Sequence, residues 1–145
     1  MLTVEPQVIE QYVRPGKVRL LFRDILDFGE QSERASVAAA SAGRQGQFWQ
    51  LHKILFDEQS NVFGKSGDAL VALMKEFAAR LPGLDQAAFA QSLDDPAILA
   101  AIKAAVDEHR KRGITSRPVF EIGQQRLFGY QSFEVMQRAI DAALK

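Results

Sequence analysis

The residues from Gly113 to Gly129, GITSRPVFEIGQQRLFG, combine a proline with an apolar run that is typical of a strand. Pro118 has no N–H to donate to a sheet. It therefore indicates the first residue of a strand, an edge strand, or a tight turn with a cis peptide bond. From the residues alone, Arg117 and Pro118 are consistent with a purely structural turn.

The chain has 145 residues and contains no cysteine. This composition excludes disulfides, thiolate metal sites and thiol nucleophiles, so no catalytic residue is assigned. His52 and His109 lie on the apolar stripes of predicted helices, which favours packed histidines over ligands. We therefore expect neither a metal nor a cofactor. Phe48 and Trp49 are likewise expected to fill a core.

Two further motifs have structural explanations. The stretch Phe63–Gly67, FGKSG, resembles the end of a phosphate-binding loop, but Gln59 stands where the first glycine is required and no strand precedes it. The pair Asp94-Asp95 precedes Pro96, which is the pattern of a helix cap rather than of a general acid and base. Neither motif predicts an active site.

Charge and hydropathy exclude two classes of partner. The 18 basic residues balance the 18 acidic residues, so no field of one sign attracts nucleic acid or an anionic membrane surface. No window approaches the roughly 20 apolar residues that span a bilayer, and no signal-peptide pattern is present. With 47% hydrophobic residues, the chain has the size and composition of one globular domain.

The residue pattern predicts an α/β domain whose helices are inserted between a first strand and a hairpin. A short helix is expected at Glu5–Val13 and a strand at Lys17–Arg23, where apolar residues alternate. Further helices are expected at Ser32–Ala42, Gln47–Gln59, around Leu70–Leu81, at Asp85–Leu93 and at Pro96–Arg112, with a loop at Asn61–Gly67. Two strands, Val119–Ile122 and Arg126–Gly129, are expected to pair around a Gly123–Gln125 turn before a last helix capped by Ser132.

Three stretches resemble the DsbA-like branch of the thioredoxin superfamily, which comprises thiol–disulfide oxidoreductases with a helical domain inserted into a thioredoxin fold. They are Glu5–Ile25, Ala38–Gln59 and Gly113–Gln131, and the pair Leu84-Asp85 adds to them. The resemblance implies one domain over residues 1–145. Residues 32–112 would form the helical insertion, and residues 113–145 the proline loop, hairpin and last helix. It also suggests an extracytoplasmic protein.

In that family a cis-proline loop lies beside a Cys-x-x-Cys turn and pairs its backbone with an extended substrate. The resemblance implies that the Arg117–Pro118 bond is cis and that this loop binds an extended peptide or protein, with Arg117 and Pro118 as the candidate substrate-binding residues. A purely structural turn is the alternative interpretation. The chain departs from the family pattern, because the family's first strand and its Cys-x-x-Cys pair would lie just upstream of Leu2–Val8. We therefore expect the chain as written to be redox-inactive and N-terminally truncated, or completed by another chain.

The strand that the family has would lie between Val18–Arg23 and Val119–Ile122, so its absence would leave two unpaired edges. We expect an upstream segment or a second subunit to fill the gap, and a second subunit would make a homodimer. Two functions follow from the resemblance. One is a DsbA-like oxidoreductase whose thiol pair lies outside these residues, and the other is a non-catalytic peptide- or protein-binding or assembly module.

Overall fold

The structure, a computed structural model, describes residues 3–145. These residues form two compact units: a terminal unit, made of the chain up to Arg23 together with His109–Lys145, and a helical unit, Asp24–Glu108. The elements in chain order are α1 (Glu5–Val8), a π-helical turn (Ile9–Val13), α2 (Glu30–Gly43), α3 (Phe48–Asp57), α4 (Gln59–Phe63), α5 (Gly67–Ala79), α6 (Gln86–Leu93), α7 (Pro96–Lys111), β1 (Val119–Ile122), β2 (Gln125–Phe128) and α8 (Phe133–Ala143).

The terminal unit has a small core in which α1, the hairpin and α8 meet. The helix predicted at Glu5–Val13 is confirmed in its extent, although its second half is π-helical. Tyr12, in that half, is 3% exposed, and its hydroxyl donates to Asp141 Oδ1 of α8 at 2.8 Å. Burial raises the pKa of Tyr12, and the bond to Asp141 adds to this effect. The core residues are Val4, Val8, Tyr12, Met136 and Ile140, with Val18, Phe120, Ile122, Leu127 and Phe133 packed against them.

The strand predicted at Lys17–Arg23 is wrong, because residues 18–27 have no regular secondary structure. The alternation was a correct signal of burial: Val18, Leu20 and Phe22 are half-buried, and the residues between them are exposed. A strand also needs a neighbour for its backbone groups, and the sheet in the described part of the chain contains β1 and β2 alone. The N–H groups of Lys17 and Val18 instead donate to the Tyr12 carbonyl.

The predicted hairpin is confirmed, with a shorter turn. Ile122 pairs with Gln125, so the loop contains two residues rather than three, and β2 begins one residue earlier than predicted. Gly123 has a φ of +57°, and no residue other than glycine has a positive φ in the described chain. A positive φ at the first loop position alone is the pattern of a type II′ turn, where glycine is preferred. The last helix begins at its predicted cap, because Ser132 accepts a bond from the Val135 N–H.

The helical unit contains its own apolar core, which α2, α3, α5 and α6 share. α2 contributes small side chains, including Ala38 and Ala42, which are fully buried and permit close packing. Two predicted caps are confirmed: Asp85 accepts bonds from the N–H groups of Ala87 and Ala88, and Asp95 accepts one from Ala97. The largest fully buried side chains of this core are Phe77, Phe89, Leu51, Leu70 and Met74.

The loop predicted at Asn61–Gly67 is wrong at both ends. α4 includes Asn61–Phe63, and α5 begins at Gly67, so the connection contains only residues 64–66. The stretch is polar, but the Asn61 and Val62 N–H groups donate to the Glu58 carbonyl and continue the helical path after α3. The longest helix, α7, has 16 residues. Among the residues that the structure describes, no helix is long and apolar enough to cross a membrane.

Candidate functional site

The proline loop, Gly113–Pro118, begins at a defined stop of α7. Gly113 has a φ of +77°, and its N–H donates to the Arg110 carbonyl, while the Ile114 N–H donates to the His109 carbonyl. These two bonds form a Schellman motif, which requires the left-handed conformation that glycine adopts without strain. Ile114 is buried, so the chain turns inward before it enters the loop. The start of the loop is therefore fixed by backbone bonds.

The far end of the loop is attached to the hairpin. Arg117 is exposed, Pro118 is half-buried, and the peptide bond between them is cis, the isomer that the resemblance implies. The Pro118 carbonyl accepts a bond of 2.8 Å from the Gly129 N–H, which extends the β1–β2 ladder by one pair. Both candidate residues thus lie at the point where the loop enters β1.

The hairpin ladder leaves one edge of β1 open in the described part of the chain. Bonded and non-bonded pairs alternate along an antiparallel ladder, so Phe120 and Ile122 direct their backbone groups toward β2. The N–H and C=O groups of Val119 and Glu121 point the other way, where no described strand lies. An edge of this kind is a template for pairing with another extended chain.

A charged cluster joins β1, β2 and the end of α7. Glu121 Oε1 and Oε2 lie 2.7 and 2.8 Å from Arg112 Nη2, and Oε1 also accepts from Arg126 Nη2 at 2.8 Å. Arg126 Nη1 donates to the Arg112 carbonyl at 3.0 Å. Hydrogen bonding from Arg126, with the charge of Arg112, holds the pKa of Glu121 below its ordinary value. The cluster therefore holds the two ends of the proline loop together.

Sequence reasoning missed this cluster, although the hairpin contained the signal for it. Glu121 and Arg126 are direct cross-strand partners in the observed register. Opposite charges at such positions attract one another. The predicted three-residue turn would instead have placed Leu127 opposite Glu121. An error of one residue in the turn therefore hid the main ionic contact of the site.

Both histidines are packed as predicted. His52 and His109 are 4% and 8% exposed, and the His52 ring lies 4.6 Å from that of Phe56. The core assignment of Trp49 is wrong, since this residue is 37% exposed while its neighbour Phe48 packs against the core. Adjacent residues of a helix point in different directions, so the core receives only one of the two rings. Within residues 3–145, no three potential ligand side chains are grouped to hold a metal ion.

Comparison with known proteins identifies the family. A family model described as thioredoxin matches residues 2–142. A probable disulfide bond formation protein D from Bacillus cereus is 25% identical over 148 residues, which cover 99% of this chain. The chain is a DsbA-like member of the thioredoxin superfamily.

A solved structure agrees with this assignment. A thioredoxin-like oxidoreductase from Silicibacter pomeroyi DSS-3 matches the DsbA-like chain with a TM-score of 0.73 and 25% identity, over 98% of this chain and 76% of that one. The expected α/β class is accordingly refined to a thioredoxin-like fold with mostly helical content. In the described residues its sheet is limited to two strands.

The DsbA-like chain corresponds to part of its longer relatives. It spans 66% of the length of the Bacillus cereus protein. It is also 28% identical over 141 residues to a protein named Na⁺/H⁺ antiporter NhaA 3 from Salinispora tropica, a match that covers 96% of this chain and 20% of that protein. The similarity to the antiporter is thus confined to one fifth of its length.

Replacing Glu121 with Gln tests the ionic contact. The folded protein lowers the pKa of this carboxyl, so its charge stabilises the fold above the ordinary value of about 4.3, and the effect is lost as pH falls through the lowered value. Exposed pairs contribute little, so we expect a loss of at most about 1 kcal/mol of unfolding free energy near neutral pH. In urea titrations at several pH values, the difference in unfolding free energy from wild type should disappear well below about pH 4, a limit set by the ordinary pKa of a glutamate carboxyl.

The control is Glu10→Gln, which removes an exposed i,i+4 pair with Arg14 far along the chain from the loop. Such pairs are worth only a few tenths of a kcal/mol, about 0.2–0.5. A Glu121→Gln effect that is absent, or that persists unchanged in acid, would contradict the stabilising role of the carboxylate.

Proposed function

We propose that this chain is the peptide-docking part of a DsbA-like thiol–disulfide oxidoreductase, in which the proline loop and the edge of β1 hold an extended polypeptide. The open edge at Val119 and Glu121 carries the proposal, since their backbone groups point away from β2. Arg117 and Pro118 lie at the start of this edge and are the proposed substrate-binding residues. Membership of the DsbA-like family supports a polypeptide as the ligand.

Disulfide exchange begins with attack by a thiolate, and these 145 residues contain no cysteine. The chain as given is therefore proposed to be redox-inactive, with docking as the part of the family activity that its residues can perform. A docked segment would form hydrogen bonds with Val119 and Glu121 and extend the sheet by one strand. The side chains of that segment would alternate between the two faces of the sheet.

The proposal includes an arrangement for the whole domain. Residues 32–112 would be the helical insertion, and residues 113–145 would supply the proline loop, the hairpin and the last helix of one domain over residues 1–145. A central strand of the sheet would then come from polypeptide outside these 145 residues, either an upstream segment or a second copy. That strand would pair with the edge of β1 and with the segment Val18–Arg23. In the whole domain a substrate would therefore contact the proline loop, and the edge at Val119 and Glu121 is open to an extended polypeptide only in the chain as given.

A second candidate function is assembly, and the segment Val18–Arg23 favours it. This segment is exposed at every second residue, as in a strand, and yet it forms no ladder. Leu21 is 54% exposed. Extended segments with free edges invite pairing between chains, and a twofold assembly closes both copies at once. In this candidate the edge of β1 binds a second copy of the chain.

Replacing Val119 with proline tests docking, because it deletes an outward N–H from β1 while the ladder to β2 remains. The probe is a labelled, cysteine-free peptide, acetyl-Thr-Val-Thr-Gln-Thr-Val-Thr-amide. Loss of one backbone bond should weaken its binding roughly fivefold or more in fluorescence anisotropy titrations. The matched control is Phe128→Pro, which deletes an outward N–H from the opposite edge of the hairpin. Equal effects of the two variants, or none from Val119→Pro, would contradict docking at β1.

Light scattering at micromolar concentration tests the assembly candidate. A homodimer requires twice the mass of one chain, and the Val119→Pro variant should then return the mass to that of a monomer. A wild-type mass equal to one chain would remove assembly and leave peptide docking as the function of the edge.

A further inference from the structure

A cleft of about 430 Å³ lies within the helical unit, between the first two turns of α2 and the junction of α6 and α7. Its apolar lining includes Val37 and Leu93, which are buried, and Leu99, which is half-buried. Clefts that hold small organic ligands have volumes of about 300–1,000 Å³ and combine an apolar lining with a few charged or polar groups. The cleft therefore has the size and the lining of a small-ligand site.

Two of the acidic residues that line the cleft are paired with cations of the chain. Glu33 Oε1 lies 2.7 Å from Lys103 Nζ, and Asp95 Oδ2 lies 2.9 Å from Arg44 Nη1. Asp95 Oδ1 also accepts a bond from the Ala97 N–H as the cap of α7. A cationic ligand would have to compete with these partners, so the two carboxylates contribute little to its binding.

Arg34, the cation that lines the cleft, lacks the partner that its position on α2 offers. Glu30 lies four residues earlier, the spacing at which opposite charges pair on a helix surface. Its carboxylate oxygens instead accept bonds of 3.2 and 3.1 Å from the Gly67 N–H at the start of α5. Arg34 is half-buried, and its side chain forms no ion pair or hydrogen bond with any residue that the structure describes. Its guanidinium group is therefore available to an anion in the cleft.

Asp94 is the complementary group of opposite charge. It lines the same cleft and is exposed, and its carboxylate is likewise unpaired within residues 3–145. A guanidinium group can bind a carboxylate through two N–H groups, and a carboxylate can accept bonds from an ammonium group. A ligand that satisfies both residues and the apolar lining therefore has one charge of each sign on an apolar body.

We propose that this cleft binds an apolar dipeptide with free termini. Charge complementarity decides the occupant: the carboxylate of the ligand pairs with Arg34, its ammonium group pairs with Asp94, and its side chains cover the apolar lining. A dipeptide is closer than a single amino acid to the size of ligand that a cleft of this volume buries. The cleft lies within the helical unit, so this inference does not depend on docking at β1.

Four dipeptides that differ only at their ends test the two charges. They are Leu-Leu, acetyl-Leu-Leu, Leu-Leu-amide and acetyl-Leu-Leu-amide, each titrated into the isotope-labelled chain and followed by NMR. We expect Leu-Leu to bind with a dissociation constant of about 1 mM or below and to shift the amide signals of Val37, Leu93 and Leu99. Blocking either end should weaken binding about two- to fivefold, as the loss of one exposed ion pair does. Free leucine should bind more weakly than Leu-Leu, and equal affinities would overturn the dipeptide as the occupant.

Variants assign each end of the ligand to its residue. Arg34→Gln should bind Leu-Leu and Leu-Leu-amide equally, and Asp94→Asn should bind Leu-Leu and acetyl-Leu-Leu equally. The matched controls Lys75→Gln and Asp68→Asn remove the same charges from exposed positions of α5 outside the cleft, and they should leave all four affinities unchanged.

Three results would overturn the proposal. They are equal binding of the four dipeptides by the wild-type chain, signal shifts confined to residues outside the cleft, and no binding of Leu-Leu at about 10 mM. None of these results bears on docking at β1, because Val119→Pro and its peptide test that function separately.

Discussion

Backbone hydrogen bonding on one side of β1 is the constraint on which the site depends. A strand has two rows of backbone groups, and β2 satisfies only the row that Phe120 and Ile122 direct toward it. The row from Val119 and Glu121 faces the open edge. Backbone groups of this kind require water or another extended chain as a partner. The same constraint explains why the segment Val18–Arg23 does not become a strand, since no strand of the described chain pairs with it.

The elements around the edge are fixed, and this favours the proposed docking. The Schellman motif at Gly113 determines where the proline loop leaves α7, and the Gly129–Pro118 bond determines where it joins the hairpin. The Arg112–Glu121–Arg126 cluster then connects these two points through charge-assisted bonds. On the other face of the hairpin, Phe120 and Leu127 pack against the core that α1 and α8 share. A docked strand would therefore meet a prearranged surface, which lowers the entropic cost of binding.

Local chemistry allowed several caps and turns of the fold to be predicted from the sequence. The sequence is sufficient to predict the helix caps at Asp85 and Ser132 and the glycine of the hairpin turn, because each of them depends on contacts within a few residues. Two features were not predicted correctly: the irregular structure of Val18–Arg23, which depends on contacts with distant parts of the chain, and the Glu121–Arg126 pair, which depends on the register of the hairpin. The alternation of Val18–Arg23 reports which side chains are buried, but it does not reveal whether a partner strand exists. The Glu121–Arg126 pair depends on a two-residue turn, and a predicted turn of three residues moved these charges apart.

Amide hydrogen exchange along β1, followed by NMR in the absence and presence of the peptide acetyl-Thr-Val-Thr-Gln-Thr-Val-Thr-amide, tests the central claim most directly. In the free chain the amides of Phe120 and Ile122 should be protected, and those of Val119 and Glu121 should exchange rapidly. Saturating peptide should protect Val119 and Glu121 selectively, because their N–H groups would then donate to the docked strand. Unchanged exchange at these two amides under saturation, or equal protection of all four in the free chain, would contradict an open docking edge.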